Sequence, residues 1–241
     1  MGAPFVVKWA GLCSVFERGR PVVTTTFASP LGDILLAANS KGLVGLWFVG
    51  QEHFGSTLMA GADVDGGAAA VVAGGGAGAG AAALASAAQT AVENVVGADA
   101  ESGAAGHGTV QPVNAAAKSI IDRTWAWLNA YFAGQEPRFT PPLHMVGTPF
   151  QREVWAELLS IPRGTTVSYG EIARRIAAKH WRADDPGHQV SARAVGSAVA
   201  RNPVSIIVPC HRVVAANGDL TGYAAGLDRK QALLTLEGAL A

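Results

Sequence analysis

Between residues 66 and 88, 19 of 23 residues are alanine or glycine, the exceptions being Val71, Val72, Leu84 and Ser86. A tract of this kind cannot build a core. Its side chains gain little by leaving water, while fixing each backbone unit costs roughly 1–2 kcal/mol of conformational entropy. The aperiodic stretch around it, about residues 55–117, is therefore predicted to be a disordered insertion, with helical character confined to residues 81–96, where alanine favours it. The tract also explains a composition that would otherwise suggest a membrane protein, 49% hydrophobic and only 15% charged. No window holds the roughly 18–20 strongly apolar residues of a spanning helix, so no membrane association is expected.

Residues 1–20 read as an N-terminal extension. Lys8, Glu17, Arg18 and Arg20 interrupt its short apolar runs, unlike a secretory signal. The expectation is a cytoplasmic protein, or a nuclear one if the source is eukaryotic. Cys13 and Cys210 are too few for a disulfide framework, and together with His53, His107 and His144 they show no ligand spacing. Neither a metal nor a cofactor is expected.

The insertion divides a chain of 241 residues, long enough for one large domain or two small ones. Residues 21–145 are predicted to form an N-terminal β-containing domain. Apolar runs at 22–27, 34–38 and 43–49 are separated by Ser29-Pro30-Leu31-Gly32 and Asn39-Ser40-Lys41-Gly42, as in a three-stranded meander. Order is expected to resume at Lys118 in a helix carrying Ile120, Ile121, Trp125, Leu128, Tyr131 and Phe132, closed by Gly134.

Residues 146–241 form the second unit. Thr148-Pro149-Phe150-Gln151 combines a cap, a first-turn proline and the third-position glutamine of a capping box, and predicts a helix through Val154, Trp155, Leu158 and Leu159. Ser168-Tyr169-Gly170-Glu171 reads as a second box. After a polar connector at 179–189, Ser191 caps a helix with Ala194, Val195, Ala198 and Val199 inward, ending at Asn202-Pro203. Two capped helices joined by a connector suggest a helix-turn-helix, though any small helical domain can produce the pattern. Residues 150–241 carry 11 basic and 8 acidic side chains against 7 and 10 in the rest, a split of +3 and −3 that is compatible with a phosphate-contacting surface.

The strand-like run of residues 205–214 delivers Cys210 beside His211 and Arg212, with Pro209 turning the chain. A thiol attacks as thiolate, and a neighbouring cation or base must lower its ordinary pKa of about 8.5. His211 and Arg212 stand where they could do so. A small buried core residue is the competing reading of Cys210.

Pro209-Cys210-His211-Arg212-Val213 resembles the active-site signature of the O6-alkylguanine-DNA alkyltransferases. Val167-Ser168-Tyr169, Arg193-Ala194-Val195-Gly196, Asn202-Pro203-Val204, Gly222-Tyr223-Ala224, Gly226-Leu227 and Leu236-Glu237-Gly238 extend the resemblance over about 145–238. Ser29-Pro30-Leu31-Gly32 and Gly42-Leu43-Val44-Gly45-Leu46 are similar to the β-rich domain of bacterial members. The resemblance implies an α/β (α+β) fold, with a small N-terminal antiparallel, RNase H-like domain and a C-terminal winged-helix-like domain bearing the helix-turn-helix.

The activity it implies is DNA repair by direct reversal. A methyl or alkyl group would pass irreversibly, once per molecule, from O6-alkylguanine, and secondarily O4-alkylthymine, in double-stranded DNA to Cys210 of a monomer. The base would be flipped out of the duplex, since it cannot be reached while stacked. In this scheme His211 is the base acting through water, Glu237 orients it and Asn202 braces the turn. Tyr169 rotates the nucleotide and protonates the departing guanine. Arg193 fills the vacated space, while Ala194, Gly196, Ser197 and Ala198 allow close approach to the minor groove. Tyr223 walls the base pocket, and the backbone at Val213 and Ala224 reads the guanine edge.

Three departures stand out: a connector between Tyr169 and Arg193 about ten residues longer than in short members, Ala225 where many members have glycine or a bulky residue, and the missing zinc ligands. A non-catalytic sensor of alkylated DNA and a thiol hydrolase built on Cys210, His211 and Glu237 are the alternatives from other classes.

Overall fold

The computed structural model describes residues 13–17, 20–59, 112–180 and 189–240. The expectations for residues 60–111, for most of the N-terminal extension and for the centre of the connector lie outside the described residues.

Strands β1 (Cys13–Glu17), β2 (Arg20–Ser29), β3 (Gly32–Asn39) and β4 (Gly42–Phe48) form one antiparallel sheet in that order. The meander therefore has four strands instead of three. The segment read as an extension supplies β1, which registers Cys13 against Thr24 and Glu17 against Arg20. At the β3–β4 turn the Asn39 side-chain oxygen accepts from the amides of Lys41 and Gly42 at 2.9 and 3.2 Å, a local bond that fixes the reversal.

Both faces of β4 are buried. One carries Leu43, Leu46 and Phe48 into the main core, and the other carries Val44 and Trp47 into a small cluster with Val22, Ala37, Phe54 and Leu58. Phe54 and Leu58 come from the segment around α1 (Ser56–Met59), a single turn.

Helix α2 (Pro112–Phe132) covers the inner face of the sheet with Ile121, Leu128 and Tyr131 fully or nearly fully buried. It starts six residues before Lys118. Ala115, Ala116 and Ala117, assigned by composition to the insertion, extend the helix because alanine favours it.

Helices α3 (Pro149–Leu159), α4 (Tyr169–Lys179) and α5 (Ala192–Ala200) follow. The reciprocal box at α3 is complete, with Gln151 N donating to Thr148 Oγ1 at 3.2 Å and Thr148 N to Gln151 Oε1 at 2.9 Å. At α4 only the Ser168 half forms. Glu171 turns instead to Arg174 and Arg175, because an ion pair one turn along competes with reaching back. Trp155 Nε1 donates to Ala198 O at 2.9 Å and ties α3 to α5. Ala194 is exposed, so the inner face of α5 is Val195, Ala198 and Val199 without it.

Short parallel strands β5 (Val167–Ser168) and β6 (Val213–Val214) and helix α6 (Leu227–Leu236) complete the unit. Among the described residues no helix is long and apolar enough to cross a membrane.

Residues 205–209 are not a strand. Leu46 N donates to Pro203 O at 2.8 Å and Ser205 N to Leu46 O at 2.9 Å, so the free edge of β4 holds the chain as it enters this segment. Beyond it come two three-residue turns. Ile207 N donates to Ser205 O across Ile206, whose φ is +68°, and Cys210 N donates to Val208 O across Pro209, at φ −82° and ψ 63°. A β-branched residue at positive φ costs on the order of 1–3 kcal/mol, and Ile206 is held there by burial on all sides. Apolar content marks this run as buried, and buried turns share that content with strands.

Candidate functional site

Pro209 opens onto a single 3₁₀ turn, Cys210–Arg212, which puts three consecutive side chains into one buried region at the foot of α6. Cys210 is almost fully buried. Its Sγ accepts a hydrogen bond from Asn202 Nδ2 at 3.1 Å, and the same Nδ2 reaches Val208 O at 2.8 Å while Asn202 Oδ1 accepts from Val204 N at 3.0 Å. Asn202 lies just beyond α5, so one side chain joins the end of that helix to the turn that carries the thiol. Burial pushes the Cys210 thiol up to about 11, against a downward pull from the Asn202 bond and the charge of Lys230.

His211 is completely buried. Its Nε2 lies 3.0 Å from Glu237 Oε1. Burial lowers the imidazole pKa, more than Glu237 raises it, so the ring is neutral near pH 7. A carboxylate can only accept, which assigns the proton to Nε2 and leaves the lone pair on Nδ1. That Nδ1 has no protein partner among the described residues.

Glu237, at the C-terminus of α6, accepts from four donors. Arg212 Nε reaches Oε2 at 2.7 Å, and Arg212 Nη2, His211 Nε2 and Tyr131 Oη reach Oε1 at 2.9, 3.0 and 2.8 Å. Burial raises its carboxyl pKa, but the bonds and charges of His211 and Arg212 outweigh this and hold it well below the usual carboxylate range. Arg212 therefore does not activate the thiol, as its place beside Cys210 suggested. Its guanidinium is committed to Glu237 and to Ile161 O.

The cation that acts on Cys210 is Lys230, a residue the sequence reading passed over. It is fully buried in α6, and its Nζ donates to the carbonyls of Val213 and Thr221. Burial brings its pKa down to about 8. The signal was available, since Lys230 falls on the same helical face as Leu233 and Leu234, where a lysine is out of place. Tyr131, which the sequence pattern places only in an apolar stripe, donates to Glu237 from the N-terminal part of the chain.

Tyr169, the first residue of α4, directs its hydroxyl at Thr221 O and Gly222 O, at 3.2 and 3.1 Å. Gly222 is at φ +55°, and a Cβ there would lie 3.0 Å from that hydroxyl, so both the turn and the contact require glycine. Tyr223 follows. Its ring centroid is 6.5 Å from that of His211, and its buried hydroxyl has no partner among the described residues. The structure thus brings Cys210, His211, Glu237, Asn202, Tyr169 and Tyr223 together. The Val213 carbonyl takes Lys230 and the Ala224 carbonyl takes the amide of Glu52 at 2.9 Å. Arg193, Ala194 and Ser197 are exposed on α5, and Gly196 is half-buried against the Tyr169 ring. No group of three or more potential metal ligands occurs among the described residues.

Such an arrangement offers a buried soft nucleophile, a neutral imidazole with a free lone pair, and an ionised carboxylate behind it. The exposed face of a capped helix lies alongside.

Residues 149–239 match the family model for the DNA-binding domain of 6-O-methylguanine DNA methyltransferase. The chain is 56% identical over 110 residues to the methylated-DNA–protein-cysteine methyltransferase of Mycobacterium tuberculosis, an alignment covering 46% of this chain and 61% of that one. It is 53% identical over 111 residues to the Methanosarcina acetivorans protein of the same name, covering 46% and 65%. These alignments span about three fifths of the length of the curated relatives. The crystal structure of Mycobacterium tuberculosis OGT in complex with DNA superposes over 89% of this chain and 91% of that one, with a TM-score of 0.53 and 35% identity.

Proposed function

The chain belongs to the O6-alkylguanine-DNA alkyltransferase family, and on that premise we propose that it repairs double-stranded DNA by moving an alkyl group from guanine O6 to its own Cys210. The observation that carries this reading is the succession of groups from thiol to carboxylate: Cys210 and His211 adjacent in one turn, His211 Nδ1 unpartnered among the described residues and Nε2 bonded to an ionised Glu237.

In the transfer step the Cys210 sulfur forms a bond to the alkyl carbon while the bond from that carbon to O6 breaks. The thiol proton passes to His211 Nδ1 through water, and Glu237 stabilises the resulting imidazolium. The departing guanine takes a proton from Tyr169, whose hydroxyl exchanges its carbonyl partners for the base, and the proton held on His211 replaces it. Lys230 stabilises the sulfur as it becomes anionic. The products are a thioether and guanine. Water does not cleave a thioether under ordinary conditions, so each molecule acts once.

The base reaches Cys210 by flipping out of the duplex. The exposed face of α5 enters the minor groove, with Ala194, Gly196 and Ser197 permitting the approach, Arg193 occupying the vacated position and Tyr223 lining the pocket. O4-alkylthymine is the secondary substrate, and the protein works as a monomer in the cytoplasm.

The test is intact and peptide mass spectrometry after mixing with a duplex bearing one O6-methylguanine. One methyl gained per protein on the Cys210 peptide, and none in Cys210→Ala, is the expected result. Tight binding without methyl gain would make the protein a sensor and overturn the reading.

A further inference from the structure

We propose that Arg229 is a positioning residue that fastens one wall of the Cys210 site to the N-terminal sheet, so that the sheet sets the shape of the pocket. This role rests on the alkyl-transfer reading above.

The wall is the segment from Thr221 to Ala225, and its two ends are held by different parts of the molecule. Thr221 and Gly222 give their carbonyls to Tyr169, and Thr221 also to Lys230, all within the C-terminal unit. Ala224 gives its carbonyl to the N-terminal side, and Ala225 gives its own to Arg229, which itself reaches that side. Glu52 N, just past β4, donates to Ala224 O at 2.9 Å. Arg229 Nη1 donates to Ala225 O at 3.1 Å, while its Nε donates at 2.9 Å to Leu31 O, in the turn between β2 and β3. Tyr223 lies between these two anchorages.

The guanidinium has no carboxylate partner among the described residues. Its acceptors are two neutral carbonyls, and Cζ sits 4.8 Å from the ring centroid of Phe48 in β4. Its fork geometry allows one rigid group to bond two backbones at once, which an ammonium cannot reproduce. The turn is cut to receive it. Gly32, at φ +106°, has no Cβ, and one placed there would lie 3.1 Å from Arg229 Nη2. An ordinary surface arginine has neither a fitted turn nor partners on two units, and releasing this one frees the Ala225 end of the wall and with it Tyr223.

The experiment compares the full chain with Arg229→Met and Arg229→Lys. Hydrogen exchange is expected to rise about tenfold or more across residues 221–226 in Arg229→Met, where opening is local, with α5 unchanged. Single-turnover transfer from an O6-methylguanine duplex at saturating DNA is expected to fall on the order of 10- to 100-fold, as misplacement does. The preference between O6-methyl and O6-benzyl substrates should shift, with affinity for unmodified duplex unaltered. Arg229→Lys, which keeps the charge but bonds one carbonyl at a time, should recover part of the loss.

Unchanged exchange in the segment, or unchanged transfer rate and preference, overturns the role. So does a uniform rise in exchange with lost DNA affinity, which is general destabilisation. Failure of the unaltered protein to transfer any methyl overturns the functional reading itself, and is seen before any variant is compared.

Discussion

Cys210 and Glu237 flank the same buried histidine, and their surroundings drive their protons in opposite directions. Glu237 collects four donors, two of them from one guanidinium, and stays ionised in the interior. Cys210 has one side-chain donor, and burial raises its thiol to about 11. Desolvation opposes charge at both ends, so the difference lies in how many donors converge. The resting site therefore keeps Glu237 ionised against Arg212 and its nucleophile neutral even with the buried Lys230 cation nearby, with His211 placed to take a proton only when sulfur begins to bond. A neutral thiol is also less open to attack by stray electrophiles in the absence of substrate.

Removing the charge at the Glu237 end is expected to have the largest effect. Glu237→Gln leaves Arg212 uncompensated in the interior and should cost about 3–5 kcal/mol of stability by urea denaturation, with transfer reduced at least about 100-fold by loss of the imidazolium's partner. The acid dependence gives a sharper test. Because the folded carboxyl lies below its ordinary value of 4.5, the unfolded chain takes up the proton first as pH falls. The wild-type advantage over Glu237→Gln should then shrink from about pH 5 to about pH 3, by up to about 1.4 kcal/mol per unit. Parallel stability curves for the two proteins would show that Glu237 is not held ionised by its partners.

Asn202→Ala attacks the other end, and a smaller cost is expected. It strands Val204 N and leaves Val208 O with the Cys210 amide alone, worth about 2–3 kcal/mol together. The ultraviolet absorbance of the thiolate, referenced to Cys210→Ala, should inflect near about 11 in the wild type and higher in Asn202→Ala, since the lost bond favours the anion. A thiolate already present in the wild type at neutral pH would break the contrast between the two ends.

Legibility in the sequence followed the range of the interaction. The caps at Thr148, Ser168 and Ser191 and the Asn39 turn depend on residues two or three apart, and each is present in the structure. Cys210 and His211 could be named together because they are adjacent, whereas Glu237 was reached through family likeness alone. Arg212 was misread for the same reason. Proximity to Cys210 is visible in sequence, but a partner 25 positions away is not. The run before Cys210 looked like a strand because its burial is set by β4, some 160 residues earlier, and no local pattern distinguishes two buried turns from a strand. Lys230 and Arg229 stand side by side in α6, yet one is fully buried and the other bonds to Leu31, a difference that only tertiary packing creates.

The smallest effect expected is also the most specific test of how the Glu237 end is built. Tyr131 belongs to α2, packs its ring parallel to Trp127 at 5.1 Å and lies beneath the Arg163 guanidinium at 5.4 Å, contacts that phenylalanine would keep. Tyr131→Phe therefore removes little besides the hydroxyl bond to Glu237. Three donors remain on the carboxylate, so a loss of about 1–2 kcal/mol is expected, near the low end for a bond to a charged group, with transfer changed less than about threefold. Combined with Glu237→Gln, the two losses should fall short of their sum by about 1 kcal/mol, since the bond can be lost only once. Strict additivity would mean that α2 merely packs against the site. A shortfall would mean that donors from both halves of the chain hold the Glu237 charge, while the thiol relies on the C-terminal half alone.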